Sequence, residues 1–174
     1  MAKRISILVL FGILVISVWV LGSAIQGGAE TMKCKVYTWV VKVERGLVGD
    51  VEGHTLSLSI RRAFYVFENG EIATSLATIT SDLIKGSGTN FQYRLITFTD
   101  GSTIVVKQAG IVAGSAVGVT TSSESAGEII KGTGRFEGIK GTQTVTTKYL
   151  PLEKGEEGTK GYGESTFNYT LPSK

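Results

Sequence analysis

Four polar side chains lie among apolar residues on predicted strands, and they are the residues of this chain that could contact a ligand: His54, Arg62, Tyr93 and Tyr169. An arginine can hold a carboxylate through two parallel hydrogen bonds. A phenolic hydroxyl can orient a ligand within an otherwise apolar wall. We therefore predict that these four residues line a ligand-binding lumen. No catalytic residue can be assigned, because the single histidine and the scattered serines form no recognisable triad.

The clearest strand pattern covers residues 54–67, HTLSLSIRRAFYVF, in which apolar residues alternate with polar ones. One face carries Leu56, Leu58 and Ile60, which predicts that this face is core. His54 and Arg62 share the parity of that face, so an uninterrupted strand would point both into the lumen. An unpaired buried charge is costly, so a buried Arg62 would need an ion-pair partner or a ligand. The alternative is a bulge at Arg61–Arg62 that reverses the register and sends Arg62 to solvent.

The two tyrosines follow the same reasoning. Tyr93 shares a face with Phe91 and Leu95, and Tyr169 shares one with Phe167 and Leu171. Core packing with a satisfied hydroxyl is the alternative to a ligand-orienting role for both.

Glycine-punctuated β-sequence organises the rest of the chain. In residues 127–151, glycines interrupt two β-prone runs, and glycine inside a strand pattern marks a bulge, a bend or a close backbone approach. Turn signals at Asn69-Gly70 and Asp100-Gly101 predict hairpins. About eight strands and no amphipathic helix predict an all-β domain, a single eight-stranded antiparallel barrel. The motif IKGSG at 84–88 recurs as IKGTG at 130–134, which predicts two equivalent corners.

An uncharged apolar segment covers residues 5–25 and follows Lys3 and Arg4. Its length fits a membrane anchor, whereas the small residues near 22–29 fit cleavage of a signal peptide. Residues 1–29 are therefore predicted to be a signal peptide or a membrane anchor, and residues 30–174 the barrel domain. Both alternatives place the domain outside the cytoplasm. Cleavage would give a periplasmic or secreted protein, and an uncleaved anchor would tether the domain to the membrane.

Composition excludes several classes of function. The net charge of +3 and the pI of about 9.0 include Lys3 and Arg4, and the rest of the chain has no basic stripe, so we predict no nucleic-acid partner. One cysteine and one histidine cannot supply a zinc or iron–sulfur site, so we predict no metal and no cofactor. Cys34, on the first strand, is interpreted as apolar filler, with a reactive or intermolecular thiol as the alternative.

The run IKGTGRFEGIKGTQTVTTKYLP, together with GHTLSLSIRRAFYVFENGEIAT and YRLITFTDGSTIVVK upstream, resembles bacterial members of the allene oxide cyclase-like barrel group, related in fold to plant dirigent proteins. The resemblance covers roughly residues 33–172. It implies an eight-stranded barrel with a largely apolar lumen open at one end, often self-associating into homo-oligomers through its outer surface. No catalytic residue of either group can be placed on this chain.

Three functions remain open at the level of sequence. The first is an exported barrel that binds a small apolar or amphipathic molecule in its lumen without catalysis. The second is a cofactor-free cyclase or isomerase that orients a reactive lipid-like or polyketide-like substrate. The third is a structural or partner-binding module with a filled lumen, since eight-stranded barrels are either packed solid or hold one small ligand.

Overall fold

The chain forms a closed antiparallel barrel of eight strands in sequence order, as the sequence predicts. The computed structural model describes residues 28–115, 119–155 and 158–173. Each strand pairs with the next one, and the last pairs with the first, so no edge is left open. The strands are β1 Glu30–Leu47, β2 His54–Phe67, β3 Ile72–Ile84, β4 Ser87–Phe98, β5 Thr103–Gly114, β6 Thr120–Thr133, β7 Lys140–Leu150 and β8 Lys160–Thr170.

One end of the barrel is filled by aromatic side chains that point inward from several strands. Phe67 lies 5.4 Å from Phe98 and 6.0 Å from Phe167, measured between ring centroids. Tyr65 and Phe167 are both fully buried. Large aromatic rings fill the lumen at this end because a barrel of eight strands is just wide enough to be filled by side chains. We call this cluster, which is Tyr65, Phe67, Phe98, Phe136, Phe167 and Tyr169, the aromatic plug.

A short 3₁₀ turn, Gly134–Phe136, completes the plug between β6 and β7. It brings the Phe136 ring 4.7 Å from that of Phe98. The Arg135 guanidinium stacks on both rings, at 4.8 and 4.7 Å, and pairs with Glu71 and Asp100. The glycine-rich stretch therefore supplies two strands and the lid over one end of the barrel.

The repeated motif does not form two equivalent corners, so that prediction is wrong. Residues 84–88 make the tight turn between β3 and β4, with Lys85 at φ 50°. Residues 130–134 end β6 and enter the 3₁₀ turn at the opposite end of the barrel. The two nearly identical motifs therefore have different backbones, and the second leads into Phe136, which is buried in the plug.

Cys34 is buried beside the plug, where its thiol donates a hydrogen bond to the Ser165 carbonyl oxygen at 3.6 Å. Burial raises the pKa of this thiol to about 12. A thiol that stays protonated is a poor nucleophile, so the structure favours the interpretation of Cys34 as core filler.

The predicted signal or anchor, residues 5–25, lies outside the described residues. Within residues 28–115, 119–155 and 158–173, no helix is long and apolar enough to cross a membrane.

Candidate functional site

Strand β2 faces the opposite way from the prediction. Leu56 and Leu58 are 50% and 46% exposed on the outer surface, and Arg62 beside them is also exposed. Alternation along β2 therefore turns Arg61 inward. The prediction that Arg62 points into the lumen is wrong, and so is the prediction that the leucine face is core.

The reason lies at the other end of the same strand. Ala63, Tyr65 and Phe67 alternate inward toward the plug, and β2 pairs with β3 without a register shift. The parity set by the aromatic residues is therefore carried back along the whole strand. The bulge considered at Arg61–Arg62 lies instead in β1, where the register shifts between Val40 and Lys42, opposite Arg61.

Tyr93 also faces outward, because Ile96 and Phe98 set the parity of β4 in the same way. It is 46% exposed, and its ring meets Phe91 edge-on at 5.2 Å. The predicted placement of Tyr93 in the lumen is therefore wrong.

Tyr169 faces inward, as predicted, but it belongs to the plug. Its hydroxyl donates a hydrogen bond to Glu30 Oε2 at 2.8 Å. Burial, followed by this carboxylate, raises the pKa of Tyr169 to about 12.

His54 lies at the rim of the opposite end rather than inside the lumen. Its Nδ1 is 2.5 Å from Asp50 Oδ1, and its Nε2 is 2.7 Å from Asp82 Oδ1. The imidazole thus joins the β1–β2 loop to the end of β3. Hydrogen bonds to the Asp82 carboxylate, which has the larger effect, and to the Asp50 carboxylate raise the pKa of His54 above 6.5. The hydrogen bond between His54 and Asp50 lowers the pKa of Asp50 below 3.8.

We predict that this rim contact is strongest in mildly acidic solution. A raised histidine pKa gives stability that is fully present below 6.5 and is lost as the pH rises through the folded-state value. The lowered Asp50 pKa gives stability that is lost only when the pH falls through its own folded-state value. His54→Ala should therefore lower the melting temperature more at about pH 5.5 than at about pH 8.5.

The matched control is Lys85→Ala, which removes the pairing of Lys85 with Glu52 at the same rim. Its effect should be the same at both pH values, because this ion pair does not include His54. A loss of melting temperature for His54→Ala that is equal at the two pH values would contradict the assignment.

The half of the lumen away from the plug is lined mainly by polar side chains. They surround a cavity of about 30 Å³, room for roughly two water-sized groups. The resemblance implied a largely apolar lumen, and this holds only at the plugged end. The cavity is lined by Val36, Thr38, Arg61, Ile79, Asn90, Gln92, Arg94, Ser123, Ser125, Val145, Thr147 and Tyr149.

Two arginines lie in this wall. Arg94 is 5% exposed and donates to Ser75 Oγ at 3.1 Å and to Gln92 Oε1 at 2.8 Å. Arg61 donates to the Tyr149 hydroxyl at 3.1 Å and to Thr159 Oγ1. All four acceptors are neutral. Of the ion pairs formed among the described residues, none includes Arg61 or Arg94.

Five buried side-chain atoms of the described residues have no hydrogen-bond partner in the protein, and all belong to residues that face the lumen. Three are donors and two are acceptors. Buried polar groups are normally satisfied, by protein or by water, so these atoms can still pair with water or with another molecule. Of the five residues, Arg61 and Arg94 line the cavity. The atoms are Arg61 Nε, Arg94 Nε, the Tyr65 hydroxyl, Gln108 Oε1 and Gln143 Oε1.

Sequence reasoning missed these residues because it assumed an apolar interior. The signal was nevertheless present in β4, where Gln92 and Arg94 share the parity of Ile96 and Phe98. The inward face of β4 is predicted correctly when the parity is taken from Phe98, the aromatic residue at the end of the strand.

The outer surface of β1–β4 carries the apolar residues that were expected inside. Cross-strand pairing sets Leu76 beside Leu95, and Trp39 beside Arg62. A groove of about 510 Å³ borders this surface between the end of β1 and strands β2–β4, and Leu56, Leu58 and Phe91 line it. We call the exposed set Trp39, Leu56, Leu58, Leu76, Phe91, Tyr93 and Leu95 the outer apolar band.

Two solved structures share this architecture. The pterocarpan synthase dirigent protein PsPTS1 superposes with a TM-score of 0.53 at 12% identity, covering 86% of this chain and 99% of its own. The pterocarpan synthase dirigent protein GePTS1 gives 0.53 at 11% identity, covering 88% and 94%. At this identity the likeness shows the fold alone. No protein-family model matches the sequence, and no curated protein matches it significantly.

Proposed function

We propose that this protein is an exported barrel that binds a small amphipathic molecule in its lumen. The observation that carries the proposal is the group of buried, lumen-facing polar atoms without protein partners. Leaving such atoms unpaired costs free energy in the unliganded protein. A ligand that pairs with them recovers that cost, which favours binding over a purely structural role.

The walls favour an amphipathic ligand over a purely apolar one. Gln92, Arg94 and Gln143 are nearly fully buried on the inside, and each presents hydrogen-bonding groups. An apolar molecule placed against them would leave Arg94 Nε and Gln143 Oε1 without a hydrogen-bond partner. The small cavity fits a polar end group, and a longer ligand would extend toward the end away from the plug.

Catalysis as a cofactor-free cyclase or isomerase is the second candidate. It is favoured by the solved structures of the same fold, whose names call them pterocarpan synthases. In such a reaction Arg61 and Tyr149 would orient the substrate by hydrogen bonds. It ranks second because the described lining of the cavity includes neither a carboxylate nor a histidine to serve as a general base.

The outer apolar band supports a further part of the proposal, association of copies of this chain. An exposed apolar surface of several adjacent strands is typical of a protein interface. Export through residues 5–25 is also part of the proposal, with the cleaved and anchored alternatives both open. The cavity and the outer apolar band lie within the barrel domain, so they are the same whether residues 1–29 are cleaved or retained as an anchor.

Native and denaturing mass spectrometry of the protein purified from its own host tests this function. We expect the native mass to exceed the denatured mass by that of a small molecule, and the excess should be reproducible between preparations. The native mass also gives the number of copies in the assembly, and the denatured mass shows whether residues 1–29 have been removed.

Recovery of the bare chain mass in every preparation, with no molecule from host extracts retained on incubation, would contradict lumen binding. Release of a molecule chemically different from the one taken up would favour the cyclase or isomerase. A monomeric native mass would contradict association through the outer apolar band.

A further inference from the structure

We infer that the ligand carries an anionic oxygen group, a carboxylate or a similar acid, that is bound by Arg94 and Arg61 inside the barrel. This inference rests on the proposed binding in the lumen and specifies the chemical class of its ligand. It starts from a charge that the protein itself does not balance.

Arg94 is the stronger of the two observations. Its side chain is almost wholly buried, yet both of its hydrogen-bond acceptors, Ser75 and Gln92, are neutral, and its Nε has no partner. An arginine stays protonated in proteins. A buried guanidinium without a counter-charge is strongly destabilising, so a site that retains one indicates an anion that pairs with it.

Arg61 adds a second positive charge to the same cavity. The Tyr149 hydroxyl accepts a hydrogen bond from the Arg61 guanidinium at 3.1 Å. The same hydroxyl lies 3.0 Å from Ser123 Oγ. The Arg61 Nε is also buried and unpaired. Two guanidinium groups that line one cavity, with no carboxylate among its described lining residues, produce a positive potential there.

The size of the cavity agrees with this chemistry. About 30 Å³ accommodates a group of a few atoms, such as a carboxylate, but not the body of a larger molecule. Neutral donors and acceptors complete the walls. Val36 and Ile79 also line the cavity, so their methyl groups can report on a group bound there.

The experiment compares two probes, hexanoate and 1-hexanol, that share a six-carbon chain and differ in charge. Binding to the purified protein at neutral pH is followed by NMR of the arginine Nε–Hε groups, with the methyl groups of Val36 and Ile79 as lumen reporters. We expect hexanoate to shift the Arg61 and Arg94 signals saturably and to bind at least about tenfold more tightly than hexanol, the effect of a charge-assisted hydrogen bond.

Arg94→Gln should weaken hexanoate binding by at least about tenfold while changing hexanol binding less than about twofold. The matched control is Arg62→Gln, one residue from Arg61 but exposed on the outer surface, which should leave both affinities unchanged. Arg61→Gln provides a second variant if Arg94→Gln does not fold, and the comparison of the two probes on the unmodified protein needs no variant.

Equal affinities for hexanoate and hexanol at the Val36 and Ile79 methyl groups would overturn the inference of an anionic ligand and leave lumen binding standing. Equal losses on replacing Arg94 and Arg62 would also overturn it. Absence of saturable binding by both probes would overturn the inference together with the lumen binding on which it rests.

Discussion

Replacing Gly163 with alanine should destabilise the barrel by about 3 kcal/mol or more, a large part of the stability of a domain of this size. A Cβ built on Gly163 would lie 1.7 Å from the Thr146 carbonyl oxygen and 2.9 Å from the Thr147 Cα. Both atoms belong to the backbone of the neighbouring strand β7, so a side-chain rotation cannot relieve the clash. The strands would have to separate where they are paired.

Gly46→Ala is the matched control, because Gly46 also lies in a strand and has no atom within 4 Å of the Cβ position. Its change in unfolding free energy should stay within about 1 kcal/mol and can be favourable, since alanine restricts the unfolded chain. Urea unfolding followed by circular dichroism measures both variants. Similar transition midpoints for the two would show that the close approach at Gly163 is not required.

The extent of the barrel could be predicted from the sequence where strands carry β-branched and aromatic residues between clear turns. The predicted bounds of β2, residues 54–67, match the observed ones at both ends. Asn69-Gly70 and Asp100-Gly101 turn the chain as predicted, with both glycines at positive φ. These features are local, so the sequence alone determines them.

The segment 109–126 gives little β-signal in the sequence, because it is rich in Gly, Ala, Ser and Thr. It contains the end of β5 and the start of β6, which pair across Gly110 and Ser125. A Cβ on Gly110 would lie 2.2 Å from Ser125 Oγ. Small residues are required there by close packing across strands, and single-sequence patterns do not contain that tertiary requirement.

The facing of β2 and β4 could not be read from the leucine pattern, because each strand contains two conflicting sets of alternating residues. In β2 the leucines have one parity and Tyr65 and Phe67 have the other. The aromatic set is buried in the plug, and the leucines become exposed as a consequence. The usual rule, that apolar residues lie inside, does not determine the facing when both faces carry apolar residues. In β2 and β4 the inward face is the one whose aromatic residues pack into the plug.

This reversal links the candidate site to the outer surface. Turning Arg61 and Arg94 inward exposes Leu58 and Leu95. Which residues of β2 and β4 point inward therefore determines both the lumen proposed to bind a charged group and the outer surface proposed to contact other copies. The ligand-binding and self-association proposals should consequently be tested on the same sample.

The aromatic plug should be the main source of stability, and Phe167→Ala is expected to cost about 3–5 kcal/mol. Phe167 is fully buried, and its ring lies 6.0 Å from that of Phe67 and 6.5 Å from that of Tyr65. Rings contributed by β2 and β8 cannot collapse into the cavity left by alanine, because the closed sheet holds their backbones apart.

The matched control is Phe91→Ala, in which the ring removed is 38% exposed on the outer surface. This variant is expected to lose about 1 kcal/mol of unfolding free energy. Guanidinium unfolding measures both, and an equal loss for the two would mean that the barrel does not depend on its filled end.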